Sequence, residues 1–188
     1  MRPQLYLASR SPRRQELLRQ VGLRFEAVAA DVDERSTPGQ SPAEYAVAMA
    51  LAKARAARAA EPRPVLGADT DVVIDGQILG KPGDRAQALA MLRQLGGRTH
   101  EVYSGVAVVH AGRAGTALSV TRVSFGPISD AQAQAYWDTG EPADKAGAYA
   151  IQGYGAQFVK EIHGSYSGVV GLPLYETLQL LRQFGVGP

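Results

Sequence analysis

The chain has 188 residues, of which 45% are hydrophobic and 20% charged, and its formal net charge is +2 at pH 7. These values are typical of a soluble globular protein, and the length fits a single domain over residues 1–188. The absence of cysteine excludes disulfides, zinc–thiolate sites and thiol nucleophiles. No apolar run approaches the roughly 20 residues of a membrane span, so we expect a cytoplasmic protein without a membrane partner. The small net charge gives no support for a nucleic-acid partner, and we expect none.

The first predicted elements are a short buried strand over residues 4–8 and a helix that follows it. Ser11 can cap this helix, and Pro12 fits the first helical position because its missing N–H is not needed there. The helix N-terminus directs N–H groups and a positive dipole end toward the side chains around it, which are Ser9, Ser11, Arg13 and Arg14. Because two adjacent arginines are unfavourable there without a negative partner, the pattern predicts a phosphorylated ligand.

The rest of the chain alternates helices and strands. Ser41 and Glu44 form a capping box that opens an Ala-rich helix to about Ala60. The further predicted elements are, in chain order, strands over 65–68 and 71–75, a turn at Asp75-Gly76, a strand over 77–79, a helix from Asp84 to Gly96-Gly97, strands over 99–110 and 114–125, a helix from Ser129, a strand over 156–163 and a closing helix from Leu172-Pro173. This order predicts an α/β fold with a long mixed sheet.

Two groups of acidic residues are candidates for metal binding or base catalysis. Residues 31–34 contain three carboxylates, which fit either a solvated acidic loop or a functional site. Asp69, Thr70 and Asp71 directly follow the apolar strand predicted over 65–68, where open α/β sheets present ligand groups. A carboxylate at that point can equally cap a turn through the backbone.

Two lysines and one glycine-rich segment complete the candidate residues. Lys81 lies between Gly80 and Pro82 on a short, stiff loop, whereas Lys53 lies on the Ala-rich helix, where a solvated face is the alternative. Residues 141–155 form either an ordinary surface loop or a segment whose glycines let the backbone approach a ligand. Basic groups for phosphates together with carboxylates for a divalent cation are the combination that phosphoryl-group hydrolysis needs.

Several separated motifs resemble the Maf family of nucleoside triphosphate pyrophosphatases, and the resemblance covers nearly the whole chain. The motifs are Leu7–Arg14 with Glu16–Leu18, Lys53-Ala54, Gly67–Thr70, Gly80–Pro82, Gly97–His100, Asp144–Tyr149 with Ile151–Gly153, and Val169–Pro173. The resemblance implies an elongated mixed α/β fold with a central cleft, similar to inosine triphosphate pyrophosphatases. It also implies hydrolysis between the α- and β-phosphates of a nucleoside triphosphate, with Mg²⁺ or Mn²⁺ as cofactor, and a homodimer.

The resemblance also implies roles for individual residues. Asp69 matches the family's proton acceptor, and Glu34 matches an acidic residue that holds the metal together with Asp69. The residues that resemble triphosphate contacts are Ser9, Arg13, Arg14, Lys53 and Lys81, to which the helix-start pattern adds Ser11. The residues that fall where the family sets substrate choice are Arg13, Thr70 and Gln152.

Gln152 favours the branch of the family that acts on dTTP and UTP. A uracil or thymine edge offers an N–H donor beside a carbonyl acceptor, and an amide side chain can match both. The amide can also flip and pair with cytosine or adenine edges, so the assignment depends mainly on the family pattern.

Asp71 departs from the family, because many members carry an apolar residue at this position. On a strand, a carboxylate two positions from Asp69 lies on the same face and could join the metal site. The other interpretation is a side chain that faces solvent or pairs with an arginine.

A second class of function, a nucleotide-binding regulator of septum formation without catalysis, is the alternative. It would use the same basic cleft, and the family's link to arrested septum formation and cell division suggests it. The carboxylates at Asp69 and Glu34 argue against it, since a pure phosphate binder gains from losing negative charge there.

Overall fold

The computed structural model describes residues 2–33 and 39–188. The described strands are β1 (Leu5–Leu7), β2 (Phe25–Ala27), β3 (Val65–Ile74), β4 (Gln77–Leu79), β5 (Thr99–His110), β6 (Arg113–Phe125) and β7 (Val159–His163). The described helices are α1 (Pro12–Gln20), α2 (Pro42–Ala56), α3 (Arg85–Leu95), α4 (Asp130–Asp138), α5 (Tyr166–Val170) and α6 (Leu174–Arg182). The described 3₁₀ helices are Glu141–Asp144, Ala146–Ala148 and Tyr154–Phe158.

These strands form one mixed sheet in the order β2-β1-β3-β5-β6-β7, with β4 paired to β3. β1 is parallel to both β2 and β3. The pairs β3–β4, β3–β5, β5–β6 and β6–β7 are antiparallel. β3 and β5 form the long central pair, from Val65 opposite Val109 to Val73 opposite Glu101. The prediction of an α/β fold with a mixed sheet is therefore confirmed.

Helices cover both faces of the sheet because successive strand residues point to opposite sides. Leu66 of β3 packs in one core with Leu18 of α1 and Leu92 of α3. The neighbouring Val65 packs on the other face, in a smaller cluster that includes Ala54 of α2. The two cores leave β3 buried along its length, and β3 carries the polar residues singled out in the sequence.

Helix α2 approaches the centre of the sheet at two glycines. A Cβ added to Gly67 would lie 2.1 Å from the carbonyl oxygen of Ala50, and one added to Gly105 would lie 2.4 Å from the carbonyl oxygen of Ala46. Only glycine therefore allows the helix backbone to come this close to β3 and β5. The contact places the last turn of α2 beside the middle of β3.

The structure differs from the sequence prediction most clearly in β3, which is one strand rather than two segments over 65–68 and 71–75. Asp69 pairs with Gly105 and Thr70 with Ser104, so the ladder to β5 continues through the polar residues. The prediction that these residues follow the end of a strand is wrong: they lie in its middle. Their side chains therefore alternate between the two faces of the sheet.

Smaller differences concern the ends of elements. Helix α2 ends at Ala56 rather than near Ala60, because the backbone of Ala57 is extended. Strand β7 begins at Val159, since a 3₁₀ helix occupies Tyr154–Phe158. Strand β2 and helix α5 were not predicted. The capping box at Ser41 is confirmed, and the helix predicted from Ser129 also begins with a capping box.

Candidate active site

A cleft of about 1190 Å³ opens between the start of α1, the middle of β3 and the segment over residues 141–153. Its volume exceeds the range of about 300–1,000 Å³ that is usual for small-molecule sites. Each described residue that the sequence nominated for the site lines this one cleft: Ser9, Ser11, Arg13, Arg14, Lys53, Asp69, Thr70, Lys81 and Gln152. The remaining candidate, Glu34, lies outside the described residues.

The start of α1 presents a positive helix end to the cleft. Ser11 is the N-cap residue as predicted, but its side chain makes no capping hydrogen bond. Instead, the backbone N–H of Ser11 donates to the hydroxyl of Ser9 over 3.2 Å. The first turn of the helix contains no acidic residue, so no carboxylate of its own offsets the dipole.

Arg14 connects three parts of the cleft wall. Its Nε donates to the carbonyl oxygen of Gly171 over 2.8 Å, and Nη1 donates to the Ser9 hydroxyl over 3.2 Å. Nη2 donates to the Thr70 hydroxyl over 3.4 Å. The Thr70 hydroxyl in turn donates to the same Gly171 oxygen over 3.2 Å. Arg14 therefore joins α1, β3 and the connection between α5 and α6 in addition to supplying positive charge.

Arg13 has a different environment from Arg14. Among the residues that the structure describes, its buried Nε has no hydrogen-bond partner. The Arg13 guanidinium, together with Lys145, helps to lower the pKa of Asp144, against the upward effect of burial. A buried donor without a partner is costly, so a ligand oxygen that reached this nitrogen would be favourable.

Asp69 forms an ion pair with Lys53 across the interface of β3 and α2. The Lys53 Nζ donates to Asp69 Oδ1 over 2.6 Å, and the two side chains are only 13% and 12% exposed. Because α2 packs closely on β3 at Gly67, the Lys53 side chain can reach Asp69. The pair orients the Asp69 carboxylate at the floor of the cleft.

Asp71 lies beside Asp69 on the same face of β3. Burial, the charge of Asp69 and a hydrogen bond between the two carboxyl groups raise the pKa of Asp71 to about 8, although Lys53 and Arg14 act in the opposite direction. The side chain is buried, with 8% of the residue exposed, and its Oδ2 has no hydrogen-bond partner within residues 2–33 and 39–188. The expectation that Asp71 faces solvent is therefore wrong, whereas the Arg14 charge does act on its carboxyl group.

The segment over residues 141–155 is not an ordinary surface loop. Glu141 accepts hydrogen bonds from the Tyr136 hydroxyl over 2.5 Å and from the backbone N–H groups of Tyr154 and Gly155 over 2.9 Å each. These bonds anchor the segment and leave Gln152 exposed at the rim of the cleft. Glu141 was missed as a candidate, and its position before Pro142, at the start of a segment with three glycines, is the signal that could have found it.

Lys81 lines the same cleft, two residues after the end of β4. The carbonyl oxygen of Gly80 accepts from the N–H of Gly147 over 3.1 Å, which fixes the short loop against the neighbouring 3₁₀ helix. The Lys81 side chain is exposed. The structure thus brings cationic groups from several elements to the cleft that holds the paired carboxyl groups.

The carboxylates suit a hard divalent cation. Mg²⁺ prefers oxygen ligands and is commonly held by one or two carboxylates together with substrate phosphates. Asp69 and Asp71 supply adjacent carboxylates in the cleft, and the Oδ2 atom of Asp71 lacks a partner. No group of three or more acidic, histidine or cysteine side chains with metal-binding geometry occurs within residues 2–33 and 39–188.

Comparison with known proteins identifies the family. Residues 4–184 match the family model described as Maf-like protein, and the chain belongs to this family. A relative from Symbiobacterium thermophilum named dTTP/UTP pyrophosphatase is 54% identical, over 97% of this chain and 94% of the relative. A relative of the same name from Saccharophagus degradans is 52% identical, over 97% of this chain and 89% of the relative.

Solved structures with similarity to this chain are more distant. The structure of the Staphylococcus aureus Ham1 protein matches over 96% of both chains, with 16% sequence identity and a TM-score of 0.47. Within the part of the chain that the structure describes, no helix is long and apolar enough to cross a membrane.

Proposed function

We propose that this chain hydrolyses dTTP and UTP between the α- and β-phosphates, giving the nucleoside monophosphate and pyrophosphate. The observation that carries the proposal is the single cleft in which the Lys53–Asp69 pair lies with Arg13 and the start of α1. Relatives that are about half identical over nearly their whole length are named dTTP/UTP pyrophosphatase, and we take the two proposed substrates from that name. A cytoplasmic location, a homodimer and the lack of a nucleic-acid partner stay predictions.

The triphosphate binds between the two basic sides of the cleft. The N–H groups and dipole of α1 and the unpartnered Nε of Arg13 attract phosphate oxygens from one side. Lys81 supplies a point charge from the loop after β4. Arg14 contributes charge while its hydrogen bonds keep the wall in place.

Hydrolysis requires one water molecule and one proton acceptor. As the water oxygen bonds to the α-phosphorus, the bridging bond to the β-phosphate breaks and its electron pair leaves with pyrophosphate. The Asp69 carboxylate, oriented by Lys53, accepts the proton of the water. Mg²⁺ or Mn²⁺ held by Asp69 and Glu34 would withdraw electron density from the phosphate oxygens and neutralise the charge of the leaving group.

The side chain that selects the nucleotide base lies at the rim of the cleft. Gln152 is exposed there on the segment that Glu141 anchors, so its amide can meet the edge of a base. An amide offers both a donor and an acceptor, which matches the adjacent N–H and carbonyl groups of uracil and thymine.

The test is product analysis with purified protein, Mg²⁺ or Mn²⁺, and UTP or dTTP. We expect pyrophosphate rather than single phosphate in the ³¹P NMR spectrum. The substitution Asp69→Asn should lower kcat about 10²- to 10⁴-fold, the usual contribution of a general base, while UTP binding by calorimetry persists. Asp75→Asn is the matched control, because Asp75 is exposed and pairs with Arg98 outside the cleft.

Two results would contradict the proposal. Full activity in Asp69→Asn would remove Asp69 from its role as proton acceptor. UTP binding by the wild-type protein without any product after long incubation would favour the regulator that binds nucleotides without hydrolysis.

A further inference from the structure

The mechanism above leaves the carboxyl group of Asp71 without a role. Asp71 lines the cleft, yet only 8% of the residue is exposed and its Oδ2 has no hydrogen-bond partner. A buried carboxylate oxygen without a partner is costly in a folded protein. An apolar side chain would fill the same position on β3 without that cost, so the burial of a carboxylate calls for a ligand.

The neighbours of Asp71 identify the charge of that ligand. The carboxyl groups of Asp71 and Asp69 lie close enough to interact directly, and both are on the face of β3 that meets α2. Lys53 donates to Asp69 Oδ1, and the Arg14 guanidinium donates to Ser9, Thr70 and Gly171. Two adjacent carboxyl groups therefore lie at the cleft, and paired carboxyl oxygens are ligands that a small divalent cation prefers.

We propose that Asp71 is a direct ligand of the divalent cation, with its Oδ2 binding the ion beside the Asp69 carboxylate. The presence of a divalent cation rests on the proposed function. The new claim is that Asp71, on the same strand as Asp69, supplies a second carboxylate ligand. The strand period places the two groups side by side, so the site exists before a nucleotide arrives. The protein should therefore bind Mn²⁺ without any nucleotide.

Mn²⁺ binding to the nucleotide-free protein tests this proposal. The loss of the free Mn²⁺ signal in electron paramagnetic resonance gives the affinity of the wild type, Asp71→Asn, Asp71→Ala and the control Asp75→Asn. Mutation of a residue that only hydrogen-bonds to a metal ligand typically weakens metal binding about 10- to 100-fold. Loss of a direct ligand should therefore weaken Mn²⁺ binding at least about tenfold. Asp75→Asn should bind like the wild type, because Asp75 lies at an exposed turn where asparagine tolerates its positive φ of 52°.

The outcomes separate this proposal from the proposed function. Unchanged Mn²⁺ affinity in Asp71→Asn, or a wild-type protein that binds no Mn²⁺ without nucleotide, overturns the role of Asp71. Circular dichroism confirms that each variant is folded, and the two substitutions at position 71 should agree. Pyrophosphate release by the wild type with Mg²⁺ is measured in parallel, and its absence would count against the hydrolase and not against the cation site.

Discussion

At the scale of single residues, the two adjacent arginines of α1 have separate tasks. Arg14 donates to Ser9, Thr70 and Gly171, whereas the Nε of Arg13 is buried without a partner. The sequence pattern treats both as phosphate contacts, but their surroundings make Arg14 a link in the cleft wall. Charge alone is therefore not enough at position 14, because a planar group with several donors is needed.

The substitution Arg14→Lys should destabilise the protein although it keeps the charge. A lysine cannot reach the three acceptors of the guanidinium at once, so we expect the free energy of unfolding to fall by about 2 kcal/mol. Urea unfolding followed by circular dichroism measures it. Arg10→Lys is the control, since Arg10 is exposed and its contact with Asp31 is long, at 3.9 Å. Equal stability of the Arg14→Lys and wild-type proteins would contradict a linking role.

At the scale of elements, the site depends on how closely α2 packs on the sheet. A methyl group at Gly67 would collide with the carbonyl oxygen of Ala50, at 2.1 Å, and with the backbone nitrogen of Ala54, at 2.7 Å. Because both obstacles are backbone atoms, the helix itself would have to move. Lys53 lies in the same stretch of helix, so its contact with Asp69 would be lost with the shift.

We therefore expect Gly67→Ala to damage stability and activity together. Overpacking of this kind costs about 1–3 kcal/mol, and the pyrophosphatase rate should fall further than that loss explains because the Lys53–Asp69 pair separates. The control is Gly187→Ala, where an added Cβ meets nothing within 4 Å. Thermal unfolding and kcat are measured for both variants. Wild-type kcat in a destabilised Gly67→Ala protein would separate helix packing from the site.

A second element-scale feature is the aromatic cluster around His100 on β5. The imidazole makes edge contacts with Phe125 and Tyr149, at ring-centre distances of 4.9 and 5.4 Å, and its Nε2 lies 2.8 Å from the Tyr149 hydroxyl. Burial lowers the pKa of His100 from its ordinary value of 6.5 to about 4. The folded protein therefore holds this histidine neutral.

Stability should fall in mild acid because of His100. The unfolded chain binds a proton near pH 6.5 and the folded chain only near pH 4, so the unfolded state gains stability as the pH falls through this window. We expect a loss of about 2 kcal/mol between pH 8 and pH 5. Urea unfolding at both values should show a smaller loss in His100→Gln. Equal losses in the two proteins would mean that other groups cause the pH dependence.

At the scale of the whole molecule, local signals predict the elements well. The capping boxes at Ser41 and Ser129 and the cap at Asp84 involve residues three positions apart, so the sequence displays them directly. The long strands β5 and β6 follow from extended runs of apolar residues. Nine residues that line the cleft were also nominated from the sequence, through charged groups beside glycines and through the resemblance to the Maf family.

Features that depend on distant contacts were not predictable in the same way. The continuity of β3 through Asp69 depends on pairing with Gly105, and the burial of Asp71 depends on the packing of α2. Neither partner is near in the sequence. The hydrogen bond from Arg14 to Gly171 likewise spans 157 positions, so no local pattern distinguishes Arg14 from Arg13.

Because of the hydrogen bond from Arg14 to Gly171, the cleft wall can be completed only late in synthesis of the chain. Synthesis starts at the N-terminus, and helix α1 leaves the ribosome long before the acceptor at position 171 exists. Until then the guanidinium of Arg14 lacks one of its anchors, and the wall that would face a triphosphate is unfinished. Products of early termination that end before residue 171 should therefore be inert toward nucleotides, even where most of the central sheet is already present.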